Sequence, residues 1–215
     1  LLKENGQKSL KITNSKKKFI YLISPNYIKS GFLSNLERIL STKKIEFFQL
    51  RLKNSSLQKK INIGRKIKKI CKKFKVKFLI NDDPYLAKRL NADGCHLGQK
   101  DIDILSARQI LGKKIIGITC HNSIKLAKTA IKYNPNYIAF GAFYPTKTKR
   151  VKYKANISIL KKIKKYSKLP IVAIGGINDV NYKKLLLNKA SFLAISGYIW
   201  NNKKLKPLEA IKKLK

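Results

Sequence analysis

The stretch PIVAIGGINDVNYKKLLLNKASFLAISG, Pro170 to Gly197, decides the fold. It opens on a short apolar run, Pro170 to Ile174, that stops at Gly175-Gly176. A longer amphipathic segment, Val180 to Leu187, follows, and a second apolar run, Phe192 to Ser196, stops at Gly197. Strand-length apolar runs separated by a helix-length amphipathic one are the signature of βα units that build a parallel sheet.

Upstream, the same alternation runs back to Phe19. Strands are expected at Phe19 to Ser24, Ile45 to Leu50, Val76 to Ile80, Gly94 to Leu97, Lys114 to Thr119 and Tyr137 to Phe143, besides the two above. Helices are expected near Phe32 to Ser41, Leu57 to Phe74, Tyr85 to Leu90, Ile104 to Leu111, Ile124 to Tyr133, Ile157 to Tyr166, Val180 to Leu187 and Leu208 to Leu214. Strict alternation of eight strands with eight helices predicts an α/β chain closed into a single-domain (β/α)8 TIM barrel. The competitor, an open doubly wound sheet, lacks its phosphate fingerprint, because no Gly-x-Gly-x-x-Gly follows the first strand. Residues 1–18 are basic and polar without the apolar stretch of a secretory signal. They read as a flexible extension ahead of a barrel at 19–215.

A chain of 215 residues, 44% hydrophobic, suits one core better than two. Its 50 Lys and Arg against 10 Asp and Glu give a formal charge of +40, which attracts polyanions at low salt. A nucleic-acid reader concentrates its cations on one face and adds aromatic platforms. Here the lysines are spread out. In Leu57 to Lys75 they fill the side of a helix opposite Ile63, Ile67, Ile70 and Phe74, so specific nucleic-acid binding is not expected. Cys71, Cys95 and Cys120 are an odd set with no Cys-x-x-Cys pair, consistent with a reducing compartment and a cytoplasmic location. No run approaches the roughly 20 apolar residues of a membrane span. A homo-oligomer is compatible with all of this.

In such barrels chemistry sits at the C-terminal ends of the strands. After the second strand, alternation sends Gln49, Arg51 and Lys53 to one side; an amphipathic strand end in a lysine-rich chain would look the same. Asp82, Asp83, Asp93, Asp101 and Asp103 place five of the ten acidic residues inside 22 positions. Carboxylates at adjacent strand ends can converge on Mg²⁺, which takes one or two carboxylates and completes its shell with water and phosphate. Helix capping competes for Asp83, which precedes Pro84, and for Asp103, more than for Asp82 and Asp101. The loop Pro145-Thr146-Lys147-Thr148-Lys149 carries hydroxyls and cations suited to phosphate oxygens, or is an ordinary basic turn. Gly175-Gly176 and Ile195-Ser196-Gly197 end the two strands whose loops often hold a phosphate in barrels. Cys95-His96 and Cys120-His121 imitate zinc pairs, but adjacent strand residues project to opposite faces. His121 is kept as an acid–base candidate.

Taken in order, Gln49-Leu50-Arg51-Leu52-Lys53, Asn81-Asp82, His96-Leu97-Gly98-Gln99-Lys100-Asp101, Pro145-Thr146-Lys147-Thr148-Lys149 and Ile174-Gly175-Gly176-Ile177 resemble the thiamine-phosphate synthase family, from about Phe19 to the final helix. The resemblance implies a transferase that joins hydroxymethylpyrimidine diphosphate to thiazole phosphate and releases pyrophosphate. It implies that Gln49, Arg51, Lys53, Asn81, Thr119 and Lys149 contact the pyrimidine diphosphate, with Arg51, Lys53 and Lys149 supplying catalytic charge. Asp82 and Asp101 would hold Mg²⁺, and Thr146, Thr148, Gly176, Ile195 and Ser196 the thiazole phosphate. Thr119 stands where the family usually has serine, and the hydroxyl survives. A thiazole tautomerase of the same fold is the nearest alternative, and a basic nucleic-acid-binding protein the alternative from another class.

Overall fold

The computed structural model describes residues 18–146 and 151–215. The expected extension at 1–18 therefore lies, but for Lys18, outside the described residues. Eight strands, β1 (Ile20–Ile23), β2 (Ile45–Leu50), β3 (Lys77–Asn81), β4 (Gly94–Leu97), β5 (Ile115–Thr119), β6 (Tyr137–Gly141), β7 (Ile171–Ile174) and β8 (Phe192–Ile195), close into a barrel in sequence order. Each pairs in parallel with the next, and β8 returns to β1 with Leu22 beside Ile195. The helices are α1 (Phe32–Leu40), α2 (Leu57–Lys73), α3 (Pro84–Arg89), α4 (Ile104–Leu111), α5 (Ile124–Ile131), α6 (Ser158–Lys164), α7 (Tyr182–Leu187), α8 (Gly197–Trp200) and α9 (Pro207–Lys213). None of them is long and apolar enough to cross a membrane.

Alternation along the strands splits the apolar residues into two clusters. Those facing outward, such as Leu22, Phe48, Phe78, Cys95, Ile138 and Leu193, pack beneath the helices. Those facing inward, Tyr21, Ile23, Phe47, Leu79, Tyr137, Ala139, Val172 and Ala194, fill the barrel. Space for the Tyr137 ring comes from Gly117, where a Cβ would overlap that ring.

Many element boundaries differ from expectation by one or two residues; two of them, and one additional short helix, have clear local reasons. β6 ends at Gly141 rather than Phe143, where the chain turns to other partners: Ala142 N–H donates to Tyr153 O in the following loop and Phe143 N–H to Ile174 O at the end of β7. α7 starts at Tyr182 rather than Val180, because Asn178 Oδ1 accepts from the N–H groups of Val180 and Asn181 and holds a turn there. The one-turn α8 after β8 was not anticipated; at four residues it is too short for periodicity to register. Asp83 and Asp103 cap α3 and α4, accepting from Leu86 N–H at 2.8 Å and Ser106 N–H at 3.0 Å.

Candidate active site at the barrel mouth

The ends of three neighbouring strands, β2, β3 and β4, bring Arg51, Lys53, Asp82 and Asp101 together. Gln49, two residues from the apolar Phe47 on the inward face of β2, is 2% exposed, and its Nε2 has no hydrogen-bond partner. A buried amide N–H without an acceptor is costly unless a ligand completes it. Past the strand, Arg51 leans across to β1, where Nη1 donates to Asn26 Oδ1 at 2.8 Å and its backbone N–H donates to Ser24 Oγ at 2.9 Å. Burial pulls the Arg51 pKa down and Asp82 partly opposes this. Guanidinium remains charged under any such shift.

Lys53 Nζ lies 3.1 Å from Asp82 Oδ2, linking the β2 and β3 ends. Asp82 occupies a left-handed conformation (φ 65°), and its N–H donates to His96 O at 2.7 Å, which fixes it beside β4. Asp101, in the loop after β4, accepts from Gly98 N–H at 2.6 Å. Burial would raise the Asp82 pKa, but a hydrogen bond with Asp101 and the Lys53 ammonium hold it below the usual carboxylate range. Asp101 moves the other way, raised first by burial and then by that same bond with Asp82. Two carboxyl groups close enough to shift each other in this way are a donor pair that a hard divalent cation can bridge. They fit Mg²⁺, which needs few protein ligands. Among the described residues no group of three or more His, Cys, Asp or Glu side chains converges as a metal cage. A cavity of about 240 Å³ adjoins this cluster, lined in part by Lys53, Lys60, Asn81 and Asp82.

Thr119 closes β5 with its Oγ1 2.8 Å from His96 Nε2, while Gln99 Nε2 donates to Thr119 O at 2.5 Å. Cys95 and His96 do face opposite ways: Cys95 packs under the helices, whereas His96 points inward to Tyr137. Burial lowers the His96 pKa to about 4. His121, also in a left-handed conformation (φ 52°), stacks on Tyr153 with centroids 4.4 Å apart.

The opposite rim is built by the loops after β6, β7 and β8. Phe143 and Tyr144 donate to Ile174 O and Gly175 O, each at 3.1 Å, so the first loop lies along the second. Gly176 (φ 63°) permits this approach, since a Cβ there would collide with Pro145 O. Thr146 follows directly. Thr148 and Lys149 lie outside the described residues. Ser196 Oγ donates to Ser24 O at 3.1 Å. The Ile195 side chain belongs to the outer core, so a ligand can meet that residue only through its main chain.

The sequence reading gave Asn26, His96 and Tyr137 no role at this site. His96 carried a signal, being two residues from a strand start and inward by the parity that places Gly94. Asn26 carried none; its place beside Arg51 is set by tertiary packing.

The family model for thiamine monophosphate synthase matches residues 20–199. The chain is 70% identical to the thiamine-phosphate synthase of Pelagibacter ubique (strain HTCC1062), over 93% of this chain and 97% of that protein. It is 39% identical to the thiamine-phosphate synthase of Erythrobacter litoralis (strain HTCC2594), over 85% and 88% of the two chains. Among solved structures, thiamine phosphate pyrophosphorylase from Pyrococcus furiosus superposes with a TM-score of 0.81 at 26% identity, covering 92% of this chain and 94% of that one.

Proposed function

The chain belongs to the thiamine monophosphate synthase family, and from that premise we propose how the barrel mouth divides the work of making thiamine phosphate. The reaction joins hydroxymethylpyrimidine diphosphate to thiazole phosphate. The diphosphate leaves first, the aminopyrimidine ring stabilises the resulting cation, and the thiazole nitrogen captures it. No protein nucleophile takes part. The protein's task is to neutralise departing charge and align the two substrates.

Arg51 and Lys53, joined by Lys149 as the family resemblance implies, would neutralise the departing diphosphate. The unpartnered Gln49 amide donates to an acceptor of the pyrimidine, with Asn81 and Thr119 completing that pocket. Asp82 and Asp101 would hold Mg²⁺, which would supply further positive charge against the departing diphosphate. Thr146, Thr148 and Ser196, with the main chain at Gly176 and Ile195, receive the thiazole phosphate. The observation that carries this reading is the Asp82–Asp101 pair beside Lys53, in a chain with few acids to spare.

The test is the Mg²⁺ dependence of turnover in Asp82→Asn and Asp101→Asn. Each variant is expected to need about tenfold or more Mg²⁺ for half-maximal rate, the scale on which removing metal-site groups weakens affinity. An unchanged Mg²⁺ requirement in both places the ion elsewhere.

A further inference from the structure

Below the mouth, a line of four polar side chains crosses the otherwise apolar barrel. Tyr21 OH lies 2.8 Å from Tyr137 OH, Tyr137 OH lies 2.8 Å from His96 Nδ1, and His96 Nε2 lies 2.8 Å from Thr119 Oγ1. The His96 and Tyr137 rings stack with centroids 5.6 Å apart, which fixes the plane of the imidazole. Tyr21 and Tyr137 are 1% and 2% exposed, and Thr119 is the end of the line that reaches the mouth.

Each hydroxyl has one proton and a neutral imidazole has one N–H, so the line has a direction. If Thr119 donated to Nε2, the ring would donate from Nδ1 to Tyr137 and Tyr137 would donate to Tyr21. Tyr21 O–H would then lack an acceptor, since Tyr137 is its only hydrogen-bond partner among the described residues. In the opposite direction Tyr21 donates to Tyr137, Tyr137 to Nδ1, and Nε2–H to Thr119. Every buried proton then has an acceptor, and the Thr119 hydroxyl proton is left to face the mouth. An unsatisfied donor inside an apolar barrel is the costlier arrangement. The ring nitrogens meet the hydroxyls of Tyr137 and Thr119, which a neutral imidazole with one donor and one acceptor satisfies.

The geometry points to His96 as a positioning residue whose Nε2–H tautomer, set by Tyr21 and Tyr137, turns Thr119 into an obligate donor toward an anionic oxygen of the bound substrate. It rests on the reading that Thr119 faces the pyrimidine diphosphate. Gly117 serves the same line, because a side chain there would displace the Tyr137 ring.

The tautomer is readable without any substrate. With only two histidines in the chain, ¹⁵N-labelled histidine spectra at neutral pH assign the His96 ring by its loss in His96→Gln. The expected result is a protonated Nε2 and a bare Nδ1. A proton on Nδ1, or on both nitrogens, overturns the inference whatever the activity. Kinetics test the consequence. In His96→Gln the amide can replace Nε2–H and retain most of kcat, whereas the shorter His96→Asn cannot reach Thr119. His96→Asn is expected to lose about tenfold in kcat, the scale of one hydrogen bond, and Thr119→Val to add little to it. An Nε2–H tautomer together with an unimpaired Thr119→Val enzyme overturns instead the placing of Thr119 at the substrate. Equal losses in His96→Gln and His96→Asn overturn the positioning role.

Discussion

The two faces of the same eight strands differ in kind. Outward, Leu22, Phe48, Leu50, Phe78, Ile80, Leu97 and Ile118 are apolar to the strand ends and packed beneath helices. Inward, the face is mixed. Phe47, Leu79 and Val172 are apolar, Tyr21, Tyr137 and His96 form the polar line, and Gln49 near the end of β2, with Arg51 and Asp82 just past the strands, belongs to the mouth. The outer face carries stability, and the inner face gives up apolar contact toward one end to carry chemistry.

Substitutions on the two faces should therefore fail differently. The largest effect is expected from Phe78→Ala, whose ring stacks on Phe48 in the outer core and is 1% exposed. It should lose about 3–5 kcal/mol in urea unfolding, with turnover per folded molecule unchanged. Arg51→Ala should do the reverse, losing on the order of 10²-fold in kcat while its unfolding midpoint barely moves. A large loss of activity in Phe78→Ala at full folding would break the division.

The polar line lies between these extremes, and pH exposes it. His96 has a folded pKa of about 4, below its unfolded value of 6.5. The unfolded chain therefore binds a proton that the folded chain refuses between those values. The stability is fully present above pH 6.5 and is lost as pH falls toward 4, a change of about 1–2 kcal/mol after allowance for the ring's partial exposure. Melting temperatures of wild type and His96→Gln should converge as pH falls through this window. Smallest is the cap: Asp83→Ala should cost about 1 kcal/mol in thermal unfolding and leave the Mg²⁺ requirement unchanged, which separates it from its neighbour Asp82.

Most of the fold was legible because the outward strand faces are largely apolar, and the amphipathic period of segments such as Leu57 to Phe74 is long enough to be unambiguous. Boundaries were less legible where side chains compete with the backbone, as Asn178 does ahead of α7. At the site, Arg51, Lys53, Asp82 and Asp101 stood out because acids are scarce and strand ends are where barrels do chemistry. His96 was hidden by its neighbour Cys95, with which it imitates a metal pair, and its partners lie 23 and 41 residues away. Asn26 has no local pattern at all, since its contact with Arg51 exists only after the barrel closes.

The most direct test of the central claim is pyrophosphate release from the purified chain given pyrimidine diphosphate and thiazole phosphate, with and without Mg²⁺, beside Asp101→Ala. The expected result is release that needs both substrates and Mg²⁺ and that is lost in Asp101→Ala. Well-folded protein that releases no pyrophosphate, or releases it equally without metal, would contradict it.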